Sequence, residues 1–252
     1  MSAPTLFDAH IHLGQFYNQY TSPLELRTFL DSVKVDYFAA SSTTTCDCNY
    51  AKIIDEITEL KKLCGDRLFP ILWVLPQMLK DGGLDLFLNS GIHWCCLKIH
   101  PQLHPTAWLD ESQELQKVAS LAGAMQVPLL IHTGEMEGCY PSLYEKAFRD
   151  YPNVVFILAH GRPIEETIEM MKKYSNVWTD TAFMPTENIV KLCEKQLTNR
   201  VLWGTDYPVP IYYYPDMDMK EYYNNLVKQL NDSVSYCDFE KITNTNFKKL
   251  FG

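Results

Sequence analysis

Short apolar runs rich in β-branched and aromatic residues recur along the chain, and amphipathic stretches with helical spacing separate them. Such runs predict strands buried on both faces, as in a parallel sheet with helical crossovers. Helices are predicted for the intervening stretches, such as YAKIIDEITELKKL, ESQELQKVASLAGAMQ and PIEETIEMMKKYS. The eight predicted strands are residues 5–9, 36–41, 68–75, 94–99, 128–131, 154–159, 177–181 and 201–204.

Eight strand–helix units favour an α/β protein of the closed (β/α)8 type, a TIM barrel, over an open doubly wound sheet. No Gly-x-Gly-x-x-Gly or Gly-x-x-x-x-Gly-Lys sequence follows a predicted strand, so nothing indicates a nucleotide cradle. Beyond the eighth strand, KEYYNNLVKQL and DFEKITNTNFKKLF predict closing helices, including an extra C-terminal one. The chain has no linker rich in Pro, Gly or Ser, so we expect residues 1–252 to form a single domain.

The formal net charge of −9 and the lack of any basic run argue against a nucleic-acid partner, because such binding rests on neutralising phosphates. No apolar stretch approaches the roughly 20 residues that cross a bilayer. The first dozen residues, MSAPTLFDAHIH, lack a charged start and an apolar signal core. The eight cysteines are scattered and are interpreted as reduced thiols. We therefore expect a cytoplasmic protein that binds no membrane.

Histidines mark the ends of the predicted strands. Strand one ends in DAHIHLG, strand five in LLIHTG, strand six in FILAHGRP and strand eight in WGTDYP, and five of the seven histidines lie at strand ends. His10 and His12 are two positions apart, so on an extended strand both point to one face. His132, His160 and Asp206 come from other strands. Because barrel active sites lie at the carboxyl ends of the strands, we expect these side chains at one rim.

Imidazoles and a carboxylate at one rim are suitable ligands for a divalent transition metal such as zinc, manganese or iron. Any one of these histidines taken alone is more often a core or loop residue, but that explanation does not account for the whole set. A bound ion of this kind lowers the pKa of its water to about 7, so a nucleophile is available at neutral pH. The pattern therefore predicts a metal-dependent enzyme, with zinc as the first choice.

The order of these residues, together with the phrases LKIHP, LLIHTG, LAHG and GTDYP, resembles the amidohydrolase superfamily over essentially the whole chain. Within it, the phrases are similar to the amidohydrolase-2 branch, whose hydrolases, lactonases and decarboxylases act on carboxylated small molecules. The resemblance implies one metal held by His10, His12, His132 and Asp206. It also implies that His160 orients the attacking water or acts as a proton donor beside it.

Three further residues keep two interpretations each. Lys98 stands where two-metal relatives carry a carboxylated bridging lysine, but it could remain a cation that holds an anionic substrate. Lys98 and His100 are two positions apart, so both should face the barrel mouth. Arg162 could bind a substrate carboxylate or form a surface ion pair. Asp8 could hydrogen-bond a ligand histidine or be tied to nearby backbone. We favour one metal, with a second only if Lys98 is carboxylated.

The sequence thus predicts a metal-dependent hydrolase of a small amide, ester or lactone, in which Asp206 is both ligand and general base and His160 orients the metal-activated water or stabilises the oxyanion. The alternative is a metal-dependent decarboxylase or hydratase of a small carboxylic acid on the same site. A barrel that has lost activity is disfavoured because the ligand set is complete. The aromatic loop PVPIYYYPDMDM could wall a substrate pocket or an interface in a homo-oligomer.

Overall fold

The computed structural model describes residues 5–103 and 113–252. Each of the eight predicted strands is present, and one short strand, β2, was not predicted. The strands are β1 (Leu6–Phe16), β2 (Gln19–Thr21), β3 (Val35–Ser42), β4 (Leu68–Trp73), β5 (Cys96–Ile99), β6 (Leu129–His132), β7 (Phe156–Ala159), β8 (Val177–Asp180) and β9 (Val201–Leu202).

Helices separate most of the strands, as the amphipathic stretches predict. The first crossover helix, two short helices after β4 and a short helix within the predicted loop PVPIYYYPDMDM were not predicted. The helices are α1 (Pro23–Ser32), α2 (Tyr50–Cys64), α3 (Met78–Asp81), α4 (Gly83–Leu88), α5 (Gln113–Met125), α6 (Glu145–Asp150), α7 (Ile164–Lys173), α8 (Thr186–Glu194), α9 (Val209–Tyr213), α10 (Met219–Ser233), α11 (Tyr236–Glu240) and α12 (Asn246–Phe251). A π-helical turn, Lys241–Thr245, joins the last two.

The residues form two compact units, Met1–Phe69 with Thr181–Gly252, and Pro70–Asp180. The single domain predicted from the sequence stays a prediction. In the first unit, β1 pairs in parallel with β3 and in antiparallel with β2, which forms a hairpin. The β1–β3 register places His12 opposite Ser41. This hairpin extends β1 to Phe16, well past its predicted end at Ala9.

On its other side, β1 pairs with the segment that follows β9. The amide of Ala9 donates to the Trp203 carbonyl at 2.8 Å, and the amide of Asp206 donates to the His10 carbonyl at 2.8 Å. The amide of His12 then donates to the Tyr207 carbonyl at 2.7 Å. This backbone ladder fixes Asp206 beside the two histidines of β1.

In the second unit, β4 to β8 pair in parallel in the order of the chain. Their side chains form a buried core in which Leu97, Ile131 and Leu158 are fully buried. Such apolar runs are typical of parallel strands covered on both faces. Polar residues follow at the carboxyl ends: His132 is the last residue of β6, and Asp180 is the last residue of β8.

Candidate metal centre

His10, His12 and Asp206 bring their side chains together in the first unit. The Nε2 atom of His12 lies 2.9 Å from Oδ1 of Asp206 and 3.2 Å from Nε2 of His10. The Nε2 atom of His10 lies 3.2 Å from the same Oδ1. His10 is fully buried, and Asp206 is only 6% exposed. Three ligand-type atoms therefore converge within the interior of this unit.

The backbone explains why these side chains meet. His10 and His12 are alternate residues of an extended strand, so both imidazoles project from the same face of β1. Asp206 adopts a φ of 58°, in the left-handed region that aspartate enters more readily than most residues. Its amide is bonded to the His10 carbonyl, so the carboxylate is held within reach of both rings.

This donor set fits a divalent transition ion. The ligand atoms of His10, His12 and Asp206 lie within 4.8 Å of one another. Imidazole nitrogen and carboxylate oxygen are both ligands that zinc takes in proteins. The second ring nitrogen of His12, Nδ1, contacts Ser41, so Nε2 is the nitrogen that faces Asp206. The residues present could hold one ion.

Asp8 lies two residues before His10 on β1 and is fully buried. Its carboxylate accepts hydrogen bonds from the His10 amide at 3.1 Å, from Thr205 Oγ1 at 2.7 Å and from the Tyr223 hydroxyl at 3.3 Å. Burial raises the pKa of Asp8 to about 7, against the lowering effect of the hydrogen bonds. Of the two interpretations that the sequence left open, the structure shows the tie to the His10 backbone.

A second set of candidate residues lies in the second unit. The Nε2 atom of His160 lies 3.0 Å from Nδ1 of His132, and the His160 amide donates to Oδ1 of Asp180 at 2.9 Å. Burial lowers the pKa of His132 well below its ordinary value, and nearby positive charges such as those of Lys98 and Arg162 lower it further. His132 is therefore neutral at physiological pH, which is the form that can bind a metal.

His100 is held in a stack of rings. Its imidazole lies parallel to that of His132, with ring centroids 3.8 Å apart, and stacks on Trp73 with centroids 5.7 Å apart. Its Nδ1 accepts hydrogen bonds from the amides of Gln102 and Leu103 at 3.1 and 3.2 Å. In the neutral ring the proton is therefore on Nε2.

Lys98 and Arg162 bring two cations to the same unit. Lys98 is 2% exposed, and its Nζ lies 4.7 Å from the centroid of the Trp73 ring, a cation–π contact. The Nε of Arg162 is buried and has no hydrogen-bond partner within residues 5–103 and 113–252. A Cβ added at Gly134 would lie 3.9 Å from both Arg162 Nη2 and His132 Nε2. The guanidinium and the imidazole therefore border the same space.

The predicted site residues thus fall into two groups. The groups are His10, His12 and Asp206 in the first unit, and Lys98, His100, His132, His160 and Arg162 in the second. The assignment of His132 to the same metal as His10 stays a prediction from the sequence resemblance.

The sequence interpretation missed a group of polar side chains beside the end of β1. Ser41, Ser42 and Thr44 lie there, together with Glu56 of α2, and all four are buried. The available signal was the run SSTTT, which begins at the last residue of the second predicted strand. Consecutive hydroxyl residues at the carboxyl end of a buried strand need partners, because a buried hydroxyl without one is costly.

Comparison with known families decides the class of the protein. A family model described as amidohydrolase (Amidohydro_2) matches residues 83–252. The chain belongs to this amidohydrolase family. The resemblance seen in its motifs is thereby confirmed, and the amidohydrolase is an enzyme of a family that acts on small molecules and generally uses divalent metals.

Solved structures confirm the predicted TIM-barrel fold of the amidohydrolase. An uncharacterised TIM-barrel protein from Bordetella bronchiseptica has a TM-score of 0.71 and 14% identity, with 98% of each chain covered. A probable 2-pyrone-4,6-dicarboxylic acid hydrolase from Acinetobacter baumannii has a TM-score of 0.69 and 13% identity, covering 98% of this chain and 99% of that one. The 5-carboxyvanillate decarboxylase from Sphingomonas paucimobilis has a TM-score of 0.68 and 12% identity over 99% of each chain. At such identities the similarity shows the fold alone.

Two further observations concern the amidohydrolase. No curated protein matches the chain. Within residues 5–103 and 113–252, no helix combines the length and the apolar character that spanning a membrane requires.

Proposed function

We propose that this amidohydrolase is a metal-dependent hydrolase of a small amide, ester or lactone. The observation that carries the proposal is the convergence of His10 Nε2 and His12 Nε2 on Asp206 Oδ1, at 3.2 and 2.9 Å. Zinc is the ion that we propose first, and manganese and iron are the alternatives for the same ligands. When bound, such an ion supplies a Lewis acid and makes water a nucleophile at neutral pH.

Asp206 has two tasks in this proposal. One carboxylate oxygen, Oδ1, faces both imidazoles and acts as a ligand. The carboxylate also takes the proton of the attacking water and passes it to the leaving group, as a general base and then an acid. The near-complete burial of Asp206 supports this role, since a carboxylate screened from bulk solvent exchanges its proton with the reactants.

His160 stabilises the negative charge that develops on the substrate oxygen. Its amide is bound to Asp180 and its ring contacts His132, so the imidazole is already oriented before reaction. Preorganised donors are effective because they need no rearrangement when the charge appears, and one such donor is typically worth about 3 kcal/mol.

The substrate in this proposal carries a carboxylate. The Nε of Arg162, a buried atom in a partly exposed side chain, has no hydrogen-bond partner within the described ranges, and a buried polar atom without a partner is costly. The planar guanidinium binds a carboxylate through two parallel hydrogen bonds. The cation–π contact of Lys98 with Trp73 supports a charged, uncarboxylated ammonium group, and hence one metal rather than a pair bridged by a carboxylated lysine.

The first test is metal content, measured by elemental mass spectrometry on untagged protein purified without chelator. We expect about one zinc ion per chain, in line with one set of protein ligands. About two ions per chain would indicate that Lys98 is carboxylated and bridges them. A protein that contains no transition metal, and takes up none when supplied, would overturn the metal-dependent function.

The second test is turnover by the metal-loaded protein. The hydrolytic panel consists of p-nitrophenyl esters, lactones and N-acyl amino acids. Release of CO2 from aromatic or unsaturated acids is measured beside it, and activity there alone would replace hydrolysis by decarboxylation. His12→Ala should abolish turnover, whereas His93→Ala, which changes an exposed histidine, should retain it.

A further inference from the structure

Ser41 contacts the ring of His12 through two oxygen atoms. The His12 Nδ1 lies 2.9 Å from Ser41 Oγ and 3.2 Å from the Ser41 carbonyl oxygen. Ser41 is fully buried and stands opposite His12 in the β1–β3 register. A ring nitrogen that faces a carbonyl carries the proton, because the carbonyl can only accept. Nε2 is therefore the nitrogen that His12 offers to an ion.

The residues that follow Ser41 hold the backbone beyond His12. Thr43 Oγ1 donates to the Leu13 carbonyl at 2.8 Å. Thr44 Oγ1 accepts a hydrogen bond from the Gln15 amide at 2.9 Å. We call residues 41–44 the hydroxyl segment. Its side chains satisfy backbone and ring atoms along the end of β1, so they fix the part of the strand that carries His12.

Glu56 of α2 orients the hydroxyl segment. It is 3% exposed, and its carboxylate accepts hydrogen bonds from Ser42 Oγ at 2.6 Å and from Thr44 Oγ1 at 3.0 Å. Gly14 lies directly against this cluster, since a Cβ at that position would be 2.5 Å from Thr44 Oγ1 and 2.9 Å from Glu56 Oε2. The end of β1 therefore rests on the cluster with no side chain between them.

Stability alone is a weak explanation for this arrangement. A buried carboxylate must lose its hydration, and well-packed apolar residues of similar volume often give equal or greater stability. The cluster also lies beside the part of β1 that carries His12, a candidate ligand whose ring must be held in one orientation. Groups that hydrogen-bond the second nitrogen of a metal-binding histidine fix its tautomer and orientation.

We propose that Ser41 and Glu56 are positioning residues for a metal ion bound by His12. Ser41 holds the His12 ring with its proton on Nδ1, and Glu56 holds the hydroxyl segment through Ser42 and Thr44. The inference rests on the proposed function in one respect, namely that His12 is a metal ligand. Loss of such outer partners typically lowers metal affinity by about 10- to 100-fold.

The test is the zinc affinity of the full chain, measured by competition with a chromophoric chelator. We expect Ser41→Ala and Glu56→Gln each to lower zinc affinity by about 10-fold or more. Ser32→Ala is the matched control, because this exposed serine donates to the Phe29 carbonyl of its own helix, and it should bind zinc like the parent. Ser41→Thr retains the hydroxyl and should recover most of the affinity.

A merely structural role would give a different pattern. It would lower the urea midpoint of the metal-free variants and leave the zinc affinity of the folded fraction unchanged, and this result would overturn the proposal. Equal zinc affinity of Ser41→Ala and the parent would overturn it while the proposed function stands. A parent chain that binds no zinc would overturn both.

A measurement on the parent protein decides the matter if the variants fail to fold. Nitrogen-15 NMR of the zinc-loaded chain locates the ring proton of His12. We expect it on Nδ1, with slow exchange because it is hydrogen-bonded to Ser41. A proton on Nε2 would overturn the assignment of Ser41.

Discussion

Thr205 Oγ1 donates a hydrogen bond of 2.7 Å to Asp8 Oδ2, although the two residues are 197 positions apart in the chain. The Thr205 amide also lies 3.3 Å from the other carboxylate oxygen, Oδ1. Asp8 and Thr205 are both buried, so these bonds form away from solvent. They join β1 to the segment that carries Asp206, and the geometry of the candidate metal centre depends on that junction.

Removing the Thr205 hydroxyl should weaken this junction. We expect Thr205→Val to lower the free energy of unfolding by about 1–3 kcal/mol, because a buried acceptor on Asp8 loses its shortest hydrogen bond. Urea unfolding of the metal-free protein measures the change. Thr28→Val, at an exposed threonine of α1, is the control and should shift stability by about 0.5 kcal/mol or less. Equal effects of the two substitutions would contradict the role of the Thr205 bond.

The buried Asp8 carboxyl should also make stability depend on pH. Burial raises its pKa to about 7 from its ordinary value of 3.8, so between these values the folded chain binds more protons than the unfolded chain. The Asp8 contribution to stability therefore falls as pH rises from about 4 to about 7, and it is constant above that range. The measurement is the difference in unfolding free energy between the parent and Asp8→Asn, without metal. The difference should move against the parent as pH rises, and a movement in its favour would contradict the raised pKa.

Substitution of Gly14 by alanine tests the close contact between β1 and the hydroxyl segment. Its φ is +92°, and an added Cβ would lie 2.5 Å from Thr44 Oγ1. Gly82 has a φ of +79° with nothing within 4 Å of an added Cβ, so Gly82→Ala carries the backbone strain alone, roughly 1–2 kcal/mol. We expect Gly14→Ala to cost at least twice as much in a thermal or urea unfolding experiment. Similar losses of stability in the two variants would show that the side chains around Gly14 move aside at little cost.

Asp206→Asn separates metal binding from proton transfer. The amide oxygen can still act as a ligand, but it is a poor base, so turnover should fall by about 100- to 10,000-fold. Activity is compared at full zinc occupancy, verified by elemental analysis, and circular dichroism shows whether the fold persists. Asp216→Asn, at an exposed aspartate, is the control and should match the parent. Retained turnover in metal-replete Asp206→Asn would remove Asp206 from the proton pathway.

Arg162 should determine the affinity for a carboxylated substrate. Replacing its guanidinium removes charge-assisted hydrogen bonds worth about 1.5–3 kcal/mol, so Arg162→Met should raise KM by about 10-fold or more. The effect should disappear when the substrate carboxylate is replaced by a neutral amide. Arg149→Met, which removes an exposed arginine paired with Asp150, is the matched control. An equal rise in KM for both forms of the substrate would exclude carboxylate recognition.

Much of the fold could be predicted because its strands are buried on both faces. Runs such as VVFILA and PLLI are continuous apolar stretches bounded by helical patterns, and they became β7 and β6. The β1–β2 hairpin could not be found in this way, because it mixes polar and aromatic residues and contains no continuous apolar run. Helix α1 was missed although Ser22 and Glu25 form a capping box at its start, with Pro23 as its first residue.

The candidate site was predictable where a single residue type carries the signal. Histidines at strand ends identified His10 and His12, whose ring nitrogens lie 3.2 Å apart. Ser41 and Glu56 gave no such signal, since serine at a strand end is typical of turns and glutamate in α2 is typical of an exposed helix face. Their roles depend on which residues the β1–β3 register brings together, and single-sequence patterns do not specify register.

The first unit combines the two ends of the chain, Met1–Phe69 and Thr181–Gly252. During synthesis, the ribosome releases His10 and His12 long before it makes Asp206. At about 5–20 residues per second, this interval lasts on the order of 10 to 40 seconds. Throughout it, the two histidines lack the carboxylate that would share an ion with them. If zinc is the ion, loading follows translation of the last strand, and the nascent chain competes poorly for cellular zinc until then.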